Sequence, residues 1–226
     1  MNRSAIFLLV ALLITQADRA AGLELPVAGA RFQLASGSIK QLRLRGTVRQ
    51  QYDFSCGSAA LATLLTYHYG DPVSEQQIFD HMFSHGDRQK IRREGFSMLD
   101  MQGFLAARGW RADGFHLTLD QLAEAKLPAI VLVSDKGYQH FVVLKAIQGG
   151  RVLIGDPSSG ARAMPRADFE AVWVGKLLFV IHSLPAKPLF NHASEWRAAP
   201  AAPLADAVGR DALGSLSLAK HGPGDF

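Results

Sequence analysis

Gln50-Gln-Tyr-Asp-Phe-Ser-Cys56-Gly-Ser-Ala-Ala-Leu-Ala62 is where the period of the chain changes. Before it, residues 28–50 alternate apolar and polar types, with Phe32, Leu34, Ile39, Leu42 and Leu44 on one side of the pattern and Gly37 as a turn, which predicts a short β-hairpin or extended arm. After it, Ala59, Ala60, Leu61, Leu64 and Leu65 recur at helical spacing until Gly70-Asp71-Pro72 stops the pattern. A buried helix therefore begins at Cys56. A thiol is a nucleophile only as thiolate, and the unpaired N–H groups and dipole of a first helical turn favour that negative charge. Gly57 leaves room there for another backbone to approach.

Downstream, Ser74 and Gln77 have the spacing of a capping box and open a second helix through Ile78, Phe79 and Met82. Ser97 and Asp100 open a third, which carries Leu99, Phe104 and Leu105 and stops at Gly109. The class then turns to sheet: a strand around Trp110 to His116, a short helix Leu119 to Ala125, and a strand Ala129 to Val133. Residues 139–147 and 151–156 form two further strands around a Gly149-Gly150 hairpin turn. Asp156-Pro-Ser-Ser-Gly160 is a turn, followed by a short helix near Ala167 to Val172 and a last strand Lys176 to His182. A helical half followed by an antiparallel sheet half is an α+β domain. Beyond Ser183 the chain is Ala/Pro-rich, so residues 186–226 are expected to form a flexible or loosely packed tail.

That topology gathers polar groups around the thiol. His140 opens a strand after Lys136-Gly137-Tyr138, where its ring can face Cys56 across a cleft between the two halves. Asp156 ends the partner strand and returns to the same edge, able to accept the ring N–H and fix the tautomer. The side-chain amide of Gln50 and the backbone N–H of Cys56 could serve a developing oxyanion. Asp53 and Ser55 are expected to cap the helix. His81 and His85 lie four apart on the second helix, but no third ligand accompanies them, so a metal site is not expected.

The chain has 226 residues, 48% hydrophobic and 19% charged, enough for one well-buried domain. Its formal charge of +4 is mild. The cluster Arg88, Lys90, Arg92 and Arg93 reads as a solvated loop; no aromatic residue interleaves with it, so nucleic acid is not an expected partner. Arg3, the apolar run Ala5 to Ile14 and the small residues Ala17, Ala20 and Ala21 form the pattern of a signal peptide over residues 1–21, which predicts export, to the periplasm. A lone cysteine in an oxidising compartment has no partner and needs a reason, either burial as a small hydrophobe or chemistry.

Taken together, Gln50 to Ala62, Gly95-Phe-Ser-Met-Leu-Asp-Met101, Leu127-Pro-Ala-Ile130, His140-Phe-Val-Val-Leu144 and Asp156-Pro-Ser-Ser-Gly160 resemble the bacteriocin-processing, double-glycine-leader cysteine peptidases over about residues 45–182. The resemblance implies a papain-like fold over residues 45–183, between an arm at 22–44 and a tail at 184–226. It implies Cys56 as nucleophile, His140 as general base and acid, Asp156 as its orienter and Gln50 in the oxyanion hole, with Gln51 as the alternative for the last role. It implies no cofactor, a polypeptide substrate cut after small residues such as Gly-Gly, and partners among secretion or fibre-assembly components. Three departures matter. Ser55 stands where the family commonly has Asp, and neither a membrane domain nor a Gly-x-x-x-x-Gly-Lys-Ser/Thr phosphate loop is present. The chain thus looks like the stand-alone exported members that accompany functional-amyloid secretion. Two other functions fit the same residues: a silent peptidase-like module that binds an exported chain without cutting it, and an acyl or amide transferase.

Overall fold

The structure, a computed structural model, describes residues 23–27, 30–34, 39–135, 137–183 and 187–199. The expected signal peptide and the end of the tail lie outside these residues. The described residues fall into two units, one ending at Gln41 and one beginning at Leu42. In the first, β1 (Leu23–Val27) and β2 (Ala30–Leu34) pair as an antiparallel hairpin with Val27 opposite Ala30. The expected arm is corrected after that: Ile39–Leu44 is a helix, α1, and not a strand. Ile39, Leu42 and Leu44 satisfy both periods over so short a stretch, and the sequence pattern does not separate them.

The helix that begins at Cys56 is α2 (Cys56–Thr63), every residue of it buried. It widens into a π-helical turn, Leu64–Tyr69, that ends on Gly70 at φ 68°, a left-handed cap. Both expected capping boxes form, Ser74 with Gln77 on α3 (Glu75–His85) and Ser97 with Asp100 on α5 (Met98–Ala107). Between them the basic stretch is a helix, α4 (Arg88–Glu94), rather than the expected loop. Asp87 caps it through the amides of Gln89 and Lys90, and Ile91 is its buried residue, so one apolar contact is all its sequence displays.

The remaining strands make one six-stranded antiparallel sheet in the order β3-β8-β4-β5-β6-β7. They are β3 (Ala112–Phe115), β4 (Ala129–Asp135), β5 (Tyr138–Gln148), β6 (Arg151–Asp156), β7 (Gly160–Pro165) and β8 (Leu178–Ile181). β5 and β6 turn tightly at Gly149 and Gly150, with φ of 58° and 70° as a primed two-residue turn requires. β7 was not legible: it pairs with β6 as a short edge strand, Gly-Ala-Arg-Ala-Met-Pro165, that carries no β-branched or aromatic residue.

Both faces of the sheet are covered. Leu61, Leu64, Ile78, Met82, Met101 and Phe104 of the helical half pack with Ile130, Val143 and Phe179. On a second core, α6 (Leu119–Ala125) and α7 (Arg166–Val172) contribute Leu119, Leu122 and Phe169 against Val131, Val142, Leu144 and Ile154. This is why Phe141-Val-Val-Leu144 reads as a continuous apolar run instead of an alternation. Each such fully buried side chain stabilises the fold by about 1.5–3 kcal/mol. The tail also differs from expectation, since residues 187–199 dock on the body. His68 and Leu189 exchange contacts, Lys145 pairs with Glu195, and Arg151 donates to the carbonyl of Ala199. Composition alone hides such contacts, which lie far apart in sequence.

Candidate functional site

α2 starts at the sulfur. Cys56 is 7% exposed and is the first helical residue, so the thiol sits where the helix amides are unpaired. Its Gly57 neighbour is closely packed: a Cβ there would stand 3.1 Å from the side chain of Phe96. Burial pushes the Cys56 thiol up, and the charge of Asp156 pushes the same way. Backbone hydrogen bonds from Phe141, Gly57 and Cys56 itself oppose both. The thiolate therefore needs a local positive charge to form near neutral pH.

His140 supplies the group that can carry it. Nε2 of its ring lies 3.1 Å from Oδ2 of Asp156, and both residues are buried. A carboxylate accepts, so Nε2 carries the proton and Nδ1 is left with its lone pair, buried and without a hydrogen-bond partner among the described residues. Cys56 and His140 line one cleft of about 520 Å³ with Asp53, Phe54, Phe96, Tyr138 and Phe141 among the other walls. Burial alone would raise the carboxyl of Asp156. Hydrogen bonds from His140 and Ser158 outweigh it and hold the group far below the ordinary carboxylate range. Oδ1 accepts both the N–H of Ser158, at 2.8 Å, and its hydroxyl, at 2.6 Å, while Arg162 stands 3.7 Å from Oδ2.

The structure thus brings Cys56, His140 and Asp156 together. Gln50 is close in chain but differently engaged: its amide donates to the carbonyls of Tyr52, at 3.0 Å, and Asp53, at 3.4 Å. Its backbone N–H donates to the carbonyl of Pro157 at 3.1 Å, tying this loop to the turn that holds Asp156. The N–H of Gln51 donates instead to Glu75. Ser55 occupies the N-cap position without capping, a correction: its hydroxyl is taken by Glu75 at 2.5 Å. His81 and His85 stack 4.2 Å apart, and among the described residues no group of three metal ligands forms.

Four contributors escaped the sequence reading. Tyr138 stacks on His140 with ring centroids 5.5 Å apart, and its hydroxyl donates to the carbonyl of Asp53 across the cleft. Ser158 lies in the expected Asp156–Gly160 turn, but its bonds to the carboxylate were not foreseen; the Asx-type pattern Asp156-Pro-Ser158 is the signal that could have shown them. Arg162 stands on the unrecognised β7, and Glu75 looked like an ordinary first-turn helix acid.

The chain is 44% identical over 144 residues to the probable functional amyloid protease FapD of Pseudomonas aeruginosa, covering 64% of each chain. It is 28% identical to the lactococcin-G-processing and transport ATP-binding protein LagD of Lactococcus lactis, over 60% of this chain and 19% of that one. The match therefore spans 64% of the length of the FapD relative. Among solved structures, the peptidase domain of Streptococcus ComA, a bifunctional ABC transporter of a quorum-sensing pathway, shares the fold with TM-score 0.51 and 23% identity, over 61% of this chain and 98% of that one. The fold is papain-like. The profile of the peptidase C39 family matches residues 45–183, and the chain belongs to that family.

Proposed function

We propose that this chain is an exported cysteine peptidase that hydrolyses a peptide bond in an exported polypeptide, after a Gly-Gly pair, through a thioester on Cys56. The observation that carries the reading is a first-turn cysteine and a histidine that line one cleft, the histidine held through Nε2 by Asp156. Nδ1 of His140 takes the thiol proton, and the thiolate attacks the scissile carbonyl carbon. The Cys56 N–H and the Gln50 amide, turned from the carbonyls of Tyr52 and Asp53, receive the oxyanion. The imidazolium then protonates the leaving amine, and the thioester forms. A water molecule, deprotonated by His140, releases the new carboxyl terminus and restores Cys56. Asp156 favours the imidazolium without itself taking the proton.

The relationship to the FapD protease supports a substrate among amyloid-forming or other exported chains, with secretion components as partners, and the sequence of residues 1–21 supports action in the periplasm. The test is the rate of iodoacetamide alkylation of Cys56 against pH, in this protein and in His140→Ala. A plateau reaching well below pH 7 that the substitution abolishes supports the thiolate–imidazolium pair. Reactivity that rises only near the free-thiol value of about 8.5 in both proteins refutes it. Cleavage of a peptide panel carrying internal Gly-Gly, absent in Cys56→Ala, extends the test to the reaction.

A further inference from the structure

Glu75 is a carboxylate with no place in the chemistry just described, yet it is 3% exposed and lies directly beneath the loop that carries it. Its Oε1 accepts the N–H of Gln51 at 3.2 Å and the hydroxyl of Ser55 at 2.5 Å. Ser58 Oγ stands 3.4 Å away but has a closer acceptor in the carbonyl of Ser55 at 2.8 Å. Ser55 has one hydroxyl proton, and the charged acceptor takes it in preference to the carbonyl of Tyr52 at 3.0 Å. The Ser55 oxygen then remains free to accept the N–H of Tyr52 at 3.1 Å. Oε2 of Glu75 is buried and has no hydrogen-bond partner among the described residues.

The result is a loop hung from one buried oxygen. Gln51 is bound to it directly, Tyr52 through Ser55, and Ser55 itself immediately precedes Cys56. Gln50, whose amide donates to the Tyr52 and Asp53 carbonyls, rests on the same loop. Both groups assigned to the oxyanion, the Gln50 amide and the Cys56 N–H, therefore flank the segment that Glu75 holds. A displacement of about 1 Å there is enough to cost two orders of magnitude in rate.

We propose that Glu75 is a positioning residue of the oxyanion hole, acting as a buried acceptor that sets the Gln50–Ser55 loop against the nucleophile. The proposal rests on the Cys56 peptidase reading, and two reagents that differ in one respect separate it from a general structural role. A peptide aldehyde ending in Gly-Gly adds to Cys56: the sulfur–carbon bond forms, the carbonyl π pair moves to oxygen, and the thiol proton ends on that oxygen. Iodoacetamide alkylates the same sulfur with loss of iodide and no oxyanion. Glu75→Ala is expected to weaken aldehyde binding by at least about tenfold, while the alkylation rate and its pH midpoint stay within about twofold. Glu75→Gln, which keeps one acceptor oxygen for Ser55 and Gln51, is expected to hold aldehyde binding within about threefold. Hydrogen exchange at the Gln51 and Tyr52 amides is expected to quicken at least about tenfold in Glu75→Ala, since both lose protection together. Unchanged aldehyde affinity in Glu75→Ala, or aldehyde and alkylation losses in equal measure, overturns the role. If the wild-type protein neither binds the aldehyde nor alkylates faster than free cysteine, the peptidase reading fails instead, and the exchange rates still decide whether Glu75 holds the loop.

Discussion

Nε2 of His140 and Oδ2 of Asp156 stand 3.1 Å apart across the β5–β6 hairpin, and the other oxygen of that carboxylate is already occupied by the amide and hydroxyl of Ser158. Both oxygens are therefore needed as acceptors. Asparagine offers one oxygen and an NH₂ group, so in Asp156→Asn either His140 or the Ser158 amide must face a donor. If the NH₂ faces the ring, His140 is driven to the tautomer with its proton toward Cys56. We expect Asp156→Asn to lower kcat by roughly 10²–10⁴-fold with KM within about threefold. Steady-state kinetics on a cleaved Gly-Gly peptide check this, and a variant retaining more than a tenth of kcat would remove Asp156 from its role.

The same carboxylate makes stability depend on pH. Its folded-state value lies well below the ordinary carboxylate range, so on acidification the unfolded chain takes up this proton first. The contribution is complete above the unfolded value of about 3.9 and is lost progressively as pH falls below it. Thermal unfolding between pH 6 and pH 3 should therefore fall more steeply in the wild-type protein than in Asp156→Ala. Parallel curves would mean that the hydrogen bonds of His140 and Ser158 do not favour the ionised form.

Much of this arrangement was readable because the signals are local. Cys56 at a change of period, two capping boxes and the Gly149-Gly150 turn each depend on residues within a few positions of one another, and together they return Asp156 to the edge where His140 stands. The misreadings share the opposite character. α4 buries Ile91 and is otherwise polar, β7 carries no β-branched or aromatic residue, and the docking of residues 187–199 depends on contacts with His68, Lys145 and Arg151. Glu75 is the most instructive case. Its sequence position is that of a common first-turn acid, and only the fold brings it under Gln51 and Ser55, more than twenty residues and about twenty residues away in the chain respectively.

Gly160 links stability to the site. It has φ 87° and opens β7 opposite Asp156, and a Cβ there would meet the carbonyl oxygen of Arg43 at 2.7 Å. Neither the dihedral nor the backbone contact can relax without moving the turn that presents Ser158. Gly160→Ala is expected to cost at least about 2 kcal/mol in urea unfolding. It should also slow Cys56 alkylation at pH 6, because the carboxylate that steadies His140 shifts with the turn. Lost stability with an unaltered alkylation rate would show that the strain is absorbed at Arg43.

The tail is fastened by a buried charge. Lys145, at a bulge in β5 and 1% exposed, donates to the carbonyl of Gly46 at 2.8 Å and pairs with Glu195 Oε1 at 2.5 Å. Beside it, burial pushes the His68 imidazole down, which keeps it neutral near pH 7. Nδ1–H can then donate to the carbonyl of Leu189 at 2.5 Å, and His68 does not compete as a second cation for Glu195. Glu195→Ala leaves Lys145 with one carbonyl in a site closed to water, and we expect a loss of about 3 kcal/mol, the lower end for a broken buried pair because Glu195 is itself partly exposed. The double variant Lys145→Met, Glu195→Leu removes the stranded charge and should recover most of that loss. Urea midpoints of the two variants decide the matter. A single variant as stable as the wild-type protein would mean that this pair does not fasten residues 187–199, which are then held by their backbone bonds to His68 and Lys145 and by the Arg151 bond to the Ala199 carbonyl.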